Sequence, residues 1–308
     1  MPETAIYKSQ ESSRAGIAYA FGAFILWGLS PVYFKELSHV DAMEFLVHRM
    51  GWSFLFLVFL LFFRRTIKNF GREIYQISTD KKLLLLLFLS AILISSNWLV
   101  FIWAVSHDKV METSLGYFIN PLMNVALGML VLGERLSRVK LIAVFLAFIG
   151  VLYMVIEGGE FPWIALYLAA SFAIYGLIRK KIHIGALIAL WVEMLILLPF
   201  AVVYMIYISQ TTPEGAVGYD NYTLFMLILS GAVTAVPLVF FTSAAKRLPL
   251  STIGLIQYIA PTLSLLLAVF LWHEPFTRTH LITFVFIWSG LVIYSMDSFS
   301  PFHPKITK

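Results

Sequence analysis

Residues 114–150 read SLGYFINPLMNVALGMLVLGERLSRVKLIAVFLAFIG, and four special residues of this stretch return 140 positions later in the chain. The repeated pairs are Pro121 with Pro261, Glu134 with Glu274, Arg138 with Arg278, and Gly150 with Gly290. No gap is needed to align them, and the offset is far longer than the roughly 20–50 residues of a solenoid repeat. The spacing therefore indicates that a half-length unit occurs twice in the chain.

The composition is that of a polytopic membrane protein. Hydrophobic residues make up 60% of the 308 residues and charged residues only 13%, whereas soluble domains contain roughly 25% charged residues. The chain has no cysteine, which excludes a disulfide framework and a thiolate metal site. It also lacks the phosphate-binding loop, the zinc-binding helix motif and the nucleophile elbow. The sequence therefore predicts no enzyme, no ATP drive, no cofactor and no metal.

Ten windows are long and apolar enough to span a bilayer, which takes about 20 residues of α-helix. They cover residues 15–34, 43–63, 83–105, 110–132, 139–156, 161–178, 185–208, 222–245, 250–272 and 280–297. The links between them are short, and the longest are polar stretches at 64–82 and 209–222. The sequence predicts an all-α membrane protein with ten transmembrane helices and no additional domain.

The basic residues are distributed very unevenly between the two sides of these helices. Eighteen of the 22 Lys and Arg residues fall on the side of the N-terminus, and three, Lys35, Lys109 and Arg278, fall on the other side. Arg49 lies within a span. Because cytoplasmic loops are rich in Lys and Arg, both termini are expected in the cytoplasm. The net charge of +5 then fits contact with anionic lipid headgroups and not with nucleic acid.

Ten helices shared by two copies leave five in each half, and five is an odd number. The second copy must therefore enter the membrane from the opposite side. The predicted divisions are a cytoplasmic tail at 1–14, a first five-helix repeat at 15–156, a second inverted repeat at 157–298, and a cytoplasmic tail at 299–308. Inverted repeats of this kind are typical of alternating-access transporters.

Three ionisable side chains stand out within predicted spans, where a charge at mid-membrane costs about 3 kcal/mol. His48 and Arg49 lie in the second helix and Glu193 in the seventh. Because these helices are equivalent in the two halves, the hypothesis is that the three groups face one central cavity and form the polar core of the translocation path. Glu193 and His48 are the candidates for carrying a driving proton. The alternatives are a structural ion pair, or an Arg49 side chain that reaches the headgroups.

A second layer of candidates surrounds these charges. It contains amides and aromatic side chains inside the spans, namely Asn97, Trp98, Tyr117, Asn120, Tyr175, Gln257 and Tyr258. Such groups either contact a substrate or join helix to helix, and the latter role is favoured for the amides. The predicted hinges are Gly116 and Pro121 in the fourth helix and Gly254 and Pro261 in the ninth. Glu134 and Glu274 are expected to close short turns by pairing with Arg138 and Arg278.

Motifs along most of the chain resemble the EamA-type members of the drug/metabolite transporter superfamily, and within them the RarD-type permeases. The resemblance is carried by Trp27-Gly28, His48-Arg49, Asn97-Trp98, the run from Ser114 to Pro121, Tyr175-Gly176 and Gln257-Tyr258. It implies a permease of the bacterial cytoplasmic membrane that exports or exchanges metabolites or drugs. It supplies neither a substrate nor a proven role for any of these residues.

The leading hypothesis is a secondary transporter of small organic solutes, such as metabolites, drugs or amino-acid-like compounds, that works by alternating access. Proton coupling is a further hypothesis. The partners of this transporter would be the solute and membrane lipids, and the protein would work as a monomer or a homodimer. The alternatives are a polytopic membrane enzyme, a lipid-handling scaffold, and a receptor or assembly factor that transports nothing.

Overall fold

The computed structural model describes residues 2–63, 67–106, 110–158, 162–211, 219–273 and 276–299, which form twelve α-helices. In chain order these are α1 (Pro2–Glu36), α2 (Ala42–Phe63), α3 (Ile67–Thr79), α4 (Lys81–Ser106), α5 (Val110–Leu132), α6 (Arg138–Gly158), α7 (Trp163–Lys181), α8 (Ala186–Thr211), α9 (Asn221–Ala245), α10 (Leu250–Ile256), α11 (Ile259–Phe270) and α12 (Arg278–Phe299). Glu274, for which a turn-closing pair was predicted, lies outside the described residues.

The protein is an all-α membrane protein. Within the described residues, nine stretches are long and apolar enough to cross a bilayer. They lie on α1, α2, α4 to α9, and on α10 together with α11. The described apolar part of α12 is shorter and covers Arg278–Tyr294. The helices agree with the predicted windows to within a few residues, except that α1 extends back to Pro2.

The ninth predicted helix is divided in two at Gln257 and Tyr258. Pro261 has no backbone N–H, so the carbonyl of Gln257 has no donor four residues later. It accepts instead from the N–H of Ala260 at 3.0 Å, in a tighter turn. The division between α10 and α11 thus coincides with the hydrogen bond that Pro261 cannot make.

The polar link after α2 contains a helix that the apolar windows did not reveal. In α3 the side chains of Phe70, Ile74 and Ile77 follow helical spacing and pack against a cluster built around Ile188. Tyr75 on the other face is 71% exposed. The carboxylate of Glu73 accepts from the N–H of Gly185 at 2.7 Å. This amphipathic helix thus covers the start of α8.

Two ends of the helix bundle can be defined by their contacts. At the end called here the basic end, α3 meets the start of α8, and the ammonium of Lys180 in the last turn of α7 donates to the carbonyl of Ala245, the last residue of α9. At the opposite end, the hydroxyl of Tyr219 donates to Glu44, and Lys35 lies 4.5 Å from the ring of Trp272.

The repeated glycines lie where α6 crosses α12. A Cβ atom at Gly150 would lie 2.9 Å from the carbonyl oxygen of Thr283, and one at Gly290 would lie 2.6 Å from that of Ala143. Thr283 and Ala143 are themselves 140 positions apart, so they are equivalent residues of the two halves. The glycine of each half therefore contacts the same position in the other half. The two crossing contacts are reciprocal, and only a residue without a side chain allows so close an approach.

Candidate functional site

The carboxylate of Glu193 lies in a buried polar cluster towards the basic end. Nη1 of Arg179 donates to its Oε1 at 2.9 Å, and the hydroxyl of Tyr175 donates to its Oε2 at 3.3 Å. The hydroxyl of Ser90 donates to Oε1 as well. The side chains of Glu193 and Arg179 have no exposed surface. The pair brings one charge of each sign into the bundle, and the cluster is neutral as a whole.

Arg179 ties this cluster to the helices around it. Its Nε donates to the hydroxyl of Thr242 on α9 at 3.3 Å, and its Nη2 donates to the carbonyl of Ala186 on α8 at 3.1 Å. Arg179 was counted among the eighteen basic residues on the side of the N-terminus and was not predicted as a site residue, but the last turn of α7 turns its side chain into the bundle. The signal that points to it is Glu193, since a buried carboxylate needs a cationic partner.

Arg49 lies in a separate cluster towards the opposite end. Its guanidinium carbon is 4.9 Å from the ring centre of Trp98, 5.3 Å from that of Phe34 and 5.5 Å from that of Phe45. Its Nε donates to the hydroxyl of Thr234 on α9 at 3.0 Å. We call this arrangement the Arg49 aromatic box. Phe34, Phe45 and Thr234 were not predicted as site residues, because no sequence spacing connects them to Arg49.

Arg49 and Glu193 therefore do not share one polar core. In the described part of the chain the ion pair of Glu193 is with Arg179, and Arg49 has no carboxylate within 4 Å. The two residues nevertheless occupy matching positions. Arg49 comes seven residues after Ala42, where α2 starts, and Glu193 comes seven residues after Ala186, where α8 starts. At 1.5 Å per residue, each lies about 10 Å from the start of its helix.

His48 is adjacent to Arg49 in sequence but contacts other groups. Its side chain is 6% exposed, and its Nδ1 is 3.2 Å from Nε1 of Trp52, one turn later on α2. Its Nε2 is buried and has no partner among the described residues. Its role as a proton carrier stays a prediction.

The amide side chains join helices. Asn97 donates to the carbonyl of Leu168 and to the hydroxyl of Ser171, both at 2.9 Å, which holds α4 against α7. Asn120 donates to the carbonyl of Ala169 at 2.6 Å. Gln257 accepts from Asn124, also on α5, at 2.8 Å. These bonds fit the helix-joining role that the sequence favoured for the amides, and a substrate role for them stays a prediction.

The aromatic candidates have different surroundings. Trp98 is part of the Arg49 aromatic box, and Tyr117 lies beside it with 49% of its surface exposed and its ring 6.1 Å from that of Phe101. Tyr175 is bound to Glu193. Tyr258 is fully buried and donates to the carbonyl of Phe118 at 3.2 Å. Tyr258 and Phe118 are 140 positions apart, so two equivalent residues of the halves contact each other.

The predicted hinges differ between the halves. Pro121 lies inside the continuous helix α5, whereas Pro261 follows the division between α10 and α11. A Cβ atom at Gly254 would lie 2.6 Å from the carbonyl oxygen of Pro121, and one at Gly116 would lie 3.1 Å from that of Ala165. Both glycines thus permit close helix contacts, and hinge motion at these positions stays a prediction.

Glu134 was predicted to pair with Arg138, but the structure gives its carboxylate other partners. Its carboxylate accepts from the N–H of Leu250 at 2.7 Å and from both the N–H and the hydroxyl of Ser251, at 3.0 and 2.7 Å. Gly133, with φ of +67°, turns the chain so that Glu134 reaches these donors. The carboxylate satisfies N–H groups that would otherwise lack an acceptor at the start of α10. The turn is therefore a junction between the halves.

Lys246 lies just beyond α9 at the basic end. Its ammonium donates to the carbonyl of Ile184. Its pKa is lowered from 10.5 to about 8, first by partial burial and then by the nearby charge of Arg179, while Glu73 acts in the opposite direction. The described residues contain no group of three His, Asp or Glu side chains that could hold a metal ion.

Comparisons with known proteins agree with this architecture. The chain is 45% identical over 289 residues to Protein RarD of Salmonella typhimurium (strain LT2), covering 94% of this chain and 97% of that protein. It is 44% identical over 295 residues to a protein of Vibrio cholerae named Uncharacterized transporter, covering 96% of each. It is 29% identical over 287 residues to the Chloramphenicol-sensitive protein RarD of Pseudomonas aeruginosa, covering 93% of this chain and 95% of that protein.

A crystal structure of a protein with 14% identity superposes with a TM-score of 0.70, covering 93% of this chain and 99% of that one, which is a likeness of fold. The model of the EamA-like transporter family matches residues 14–156 and again residues 162–296. This confirms the resemblance seen in the motifs, and it overturns the alternative of a membrane enzyme. The chain belongs to the EamA-like transporter family.

Proposed function

We propose that the protein is a secondary active transporter that exports or exchanges small organic metabolites or drugs across a bacterial cytoplasmic membrane by alternating access. Its ten spans form two inverted five-helix repeats, at 15–156 and 157–298, with both termini in the cytoplasm. The reciprocal contacts of Gly150 and Gly290 support two equivalent halves. The name of the Pseudomonas relative points to chloramphenicol as one drug to test.

The observation that carries the proposal is the matched depth of Arg49 and Glu193. Each lies about 10 Å from the start of its helix, but Arg49 lies towards the opposite end and Glu193 towards the basic end. Alternating access exposes each side of the bundle to water in turn, so a polar group on each side can meet the solute or the coupling ion there. The two charges are placed to serve the two openings, one in each half.

Glu193 is the proposed proton carrier. Its carboxylate is held by Arg179, Ser90 and Tyr175 in the present conformation. When the basic end opens, these contacts separate and the carboxylate meets water, from which it takes a proton. Replacing Glu193 with Gln removes the protonation step, so a pH gradient no longer drives uptake while exchange of solute without a gradient continues.

The transport test uses proteoliposomes loaded with chloramphenicol or with a mixture of labelled amino acids. The expected result is movement of at least one solute that responds to an imposed pH gradient in the wild type and not in Glu193→Gln. Arg247→Gln is the control, because Arg247 is exposed and donates to a carbonyl within its own helix end. Wild-type movement that ignores the gradient would refute proton coupling, and an absence of any movement would refute transport of these classes.

The inverted arrangement has its own test, since the chain contains no cysteine. A single cysteine is introduced at Ser137, after α5, or at His273, after α11. The two positions occupy nearly equivalent turns of the halves, so inverted repeats place them on opposite sides of the membrane. A membrane-impermeant maleimide should label Ser137→Cys only from the cytoplasmic side and His273→Cys only from the outside. Labelling of both from one side would refute the inverted topology.

A further inference from the structure

The Arg49 aromatic box has the composition of a binding site for an organic anion. A guanidinium carries five N–H donors in a planar fork. In the described structure only Nε of Arg49 has a hydrogen-bond acceptor, the hydroxyl of Thr234. The rings of Trp98, Phe34 and Phe45 attract the cation through their faces but supply no acceptor to the two Nη groups.

Among the side chains that the structure describes, no carboxylate balances the charge of Arg49 either. Arg179 and Glu193 neutralise each other in their own cluster. The carboxyl group of Glu44, five residues before Arg49 on α2, accepts from the hydroxyl of Tyr219 and lies beyond ion-pair distance of Arg49. The nearby hydroxyls of Tyr33 and Tyr117 are uncharged. Within the described part of the chain, one positive charge and one unused fork therefore remain among side chains from five helices.

We propose that Arg49 binds the carboxylate of a small organic monoanion whose body is flat and apolar. The two Nη groups match the two oxygens of a carboxylate in parallel hydrogen bonds. The half-exposed ring of Tyr117 beside the box offers an apolar surface on which an aromatic body can pack. This inference rests on the proposed transport function, and it names organic carboxylates as the substrate class of the Arg49 aromatic box.

An oxyanion could also come from the phosphate of a lipid headgroup, because Arg49 lies only about 10 Å from the start of α2. Two observations favour a free solute. Thr234 and Trp98 bind Arg49 from α9 and α4, so its side chain points into the bundle. The rings around it suit a flat body better than a phosphate ester on flexible chains.

The test measures binding to the purified full chain in nanodiscs of zwitterionic lipid. The probes are three aromatic carboxylates, benzoate, phenylacetate and indole-3-acetate, each paired with its amide, and titration calorimetry gives the affinity. At least one carboxylate should bind about tenfold more tightly than its amide, as expected for a charge-assisted pair. This ratio should fall to near one in Arg49→Gln.

Arg49→Lys separates charge from geometry. It keeps the positive charge but loses the fork, so we expect weaker binding with the preference for carboxylate retained. Arg247→Gln removes another arginine that lies over a ring, that of Tyr19 at 5.3 Å, and should leave the ratio unchanged. A purely structural Arg49 would lower the thermal midpoint in Arg49→Gln without changing the ratio, and this result would overturn the proposal.

A second set of nanodiscs contains phosphatidylglycerol. If this lipid stabilises the wild type but not Arg49→Gln, and no carboxylate binds, the partner is a headgroup and the proposal is wrong.

The transport function and the carboxylate site can be refuted separately. Arg49-dependent binding without movement of any solute would refute the transport function and keep the site. Transport of a neutral solute that is unchanged in Arg49→Gln, with no carboxylate binding, would refute the site and keep the function.

Discussion

Breaking the ion pair between Arg179 and Glu193 should destabilise the protein asymmetrically. Both side chains have no exposed surface, and removing one member of a buried pair costs about 3–5 kcal/mol because the other charge stays unpaired. Glu193→Leu leaves a guanidinium, which keeps its proton under all accessible conditions, so we expect the full cost. Arg179→Met leaves a carboxyl group that can take up a proton and still has two hydroxyl donors. Its cost should be about 1–3 kcal/mol.

The double variant Arg179→Met/Glu193→Leu leaves no charge in the cluster. Replacing a buried ion pair by apolar side chains is often close to neutral, so the double variant should be more stable than Glu193→Leu by about 2 kcal/mol or more. The unfolding free energy can be followed by the fluorescence of the eight tryptophans during denaturation in mixed micelles. Arg247→Met, the loss of an exposed arginine, is the control and should cost less than about 0.5 kcal/mol.

The reasoning would be refuted by additivity. If the cost of the double variant equals the sum of the two single costs within about 0.5 kcal/mol, the two charges do not interact in the folded protein. Equal costs for the two single variants would refute the asymmetry, since it depends on a stranded arginine being unable to lose its charge.

Three further predictions concern other parts of the fold. Gly290→Ala should lower the unfolding free energy by about 1–3 kcal/mol, because its Cβ atom would lie 2.6 Å from the carbonyl oxygen of Ala143. Gly51→Ala, whose Cβ atom would have no atom within 4 Å, should be neutral or stabilising in the same unfolding assay. Glu134→Ala should lower the unfolding free energy by about 1–3 kcal/mol through the loss of its hydrogen bonds to α10, and Glu134→Gln should recover part of it. The pKa of Lys246 is about 8 in the folded protein, against an ordinary 10.5. Between these two pH values the folded protein binds fewer protons than the unfolded chain, so the stability of the wild type should rise with pH across this window. Thermal midpoints measured at pH 7.5 and 10 should lack this part of the rise in Lys246→Met.

The membrane helices could be predicted because each is long and apolar throughout, a signal that needs no knowledge of the neighbours. The helix α3 escaped this signal because it is short and polar on one face. Its apolar side chains at Phe70, Ile74 and Ile77 follow helical spacing, and a search for amphipathic periodicity in the link would have found it. The sequence also identified Arg49 and Glu193 as unusual charges, since the bilayer makes any charge within a span conspicuous.

The partners of those charges could not be predicted in the same way. The chain separates Glu193 from Arg179 by 14 residues and from Arg49 by 144. Neither spacing lies within one helix, so only the tertiary placement of the helices decides which guanidinium reaches the carboxylate. Counting basic residues by link did not reveal that Arg179 is buried, because such a count does not record where a side chain at a helix end points.

The two proposals together make a prediction about coupling. While Glu193 is ionised, Arg179 is occupied, and Arg49 is the one guanidinium of the two that has room for a carboxylate. Protonation of Glu193 breaks the ion pair and frees Nη1 of Arg179, whereas Nη2 stays bound to the carbonyl of Ala186 and Nε to Thr242. Arg179 then offers one donor and an unpaired charge towards the basic end, so an anion can be passed between the two only when a proton is present. In Glu193→Gln this charge would be unpaired at every pH. Calorimetry should then find one carboxylate bound per wild-type chain at pH 8 and two per Glu193→Gln chain, and an unchanged stoichiometry would separate proton binding from anion transfer.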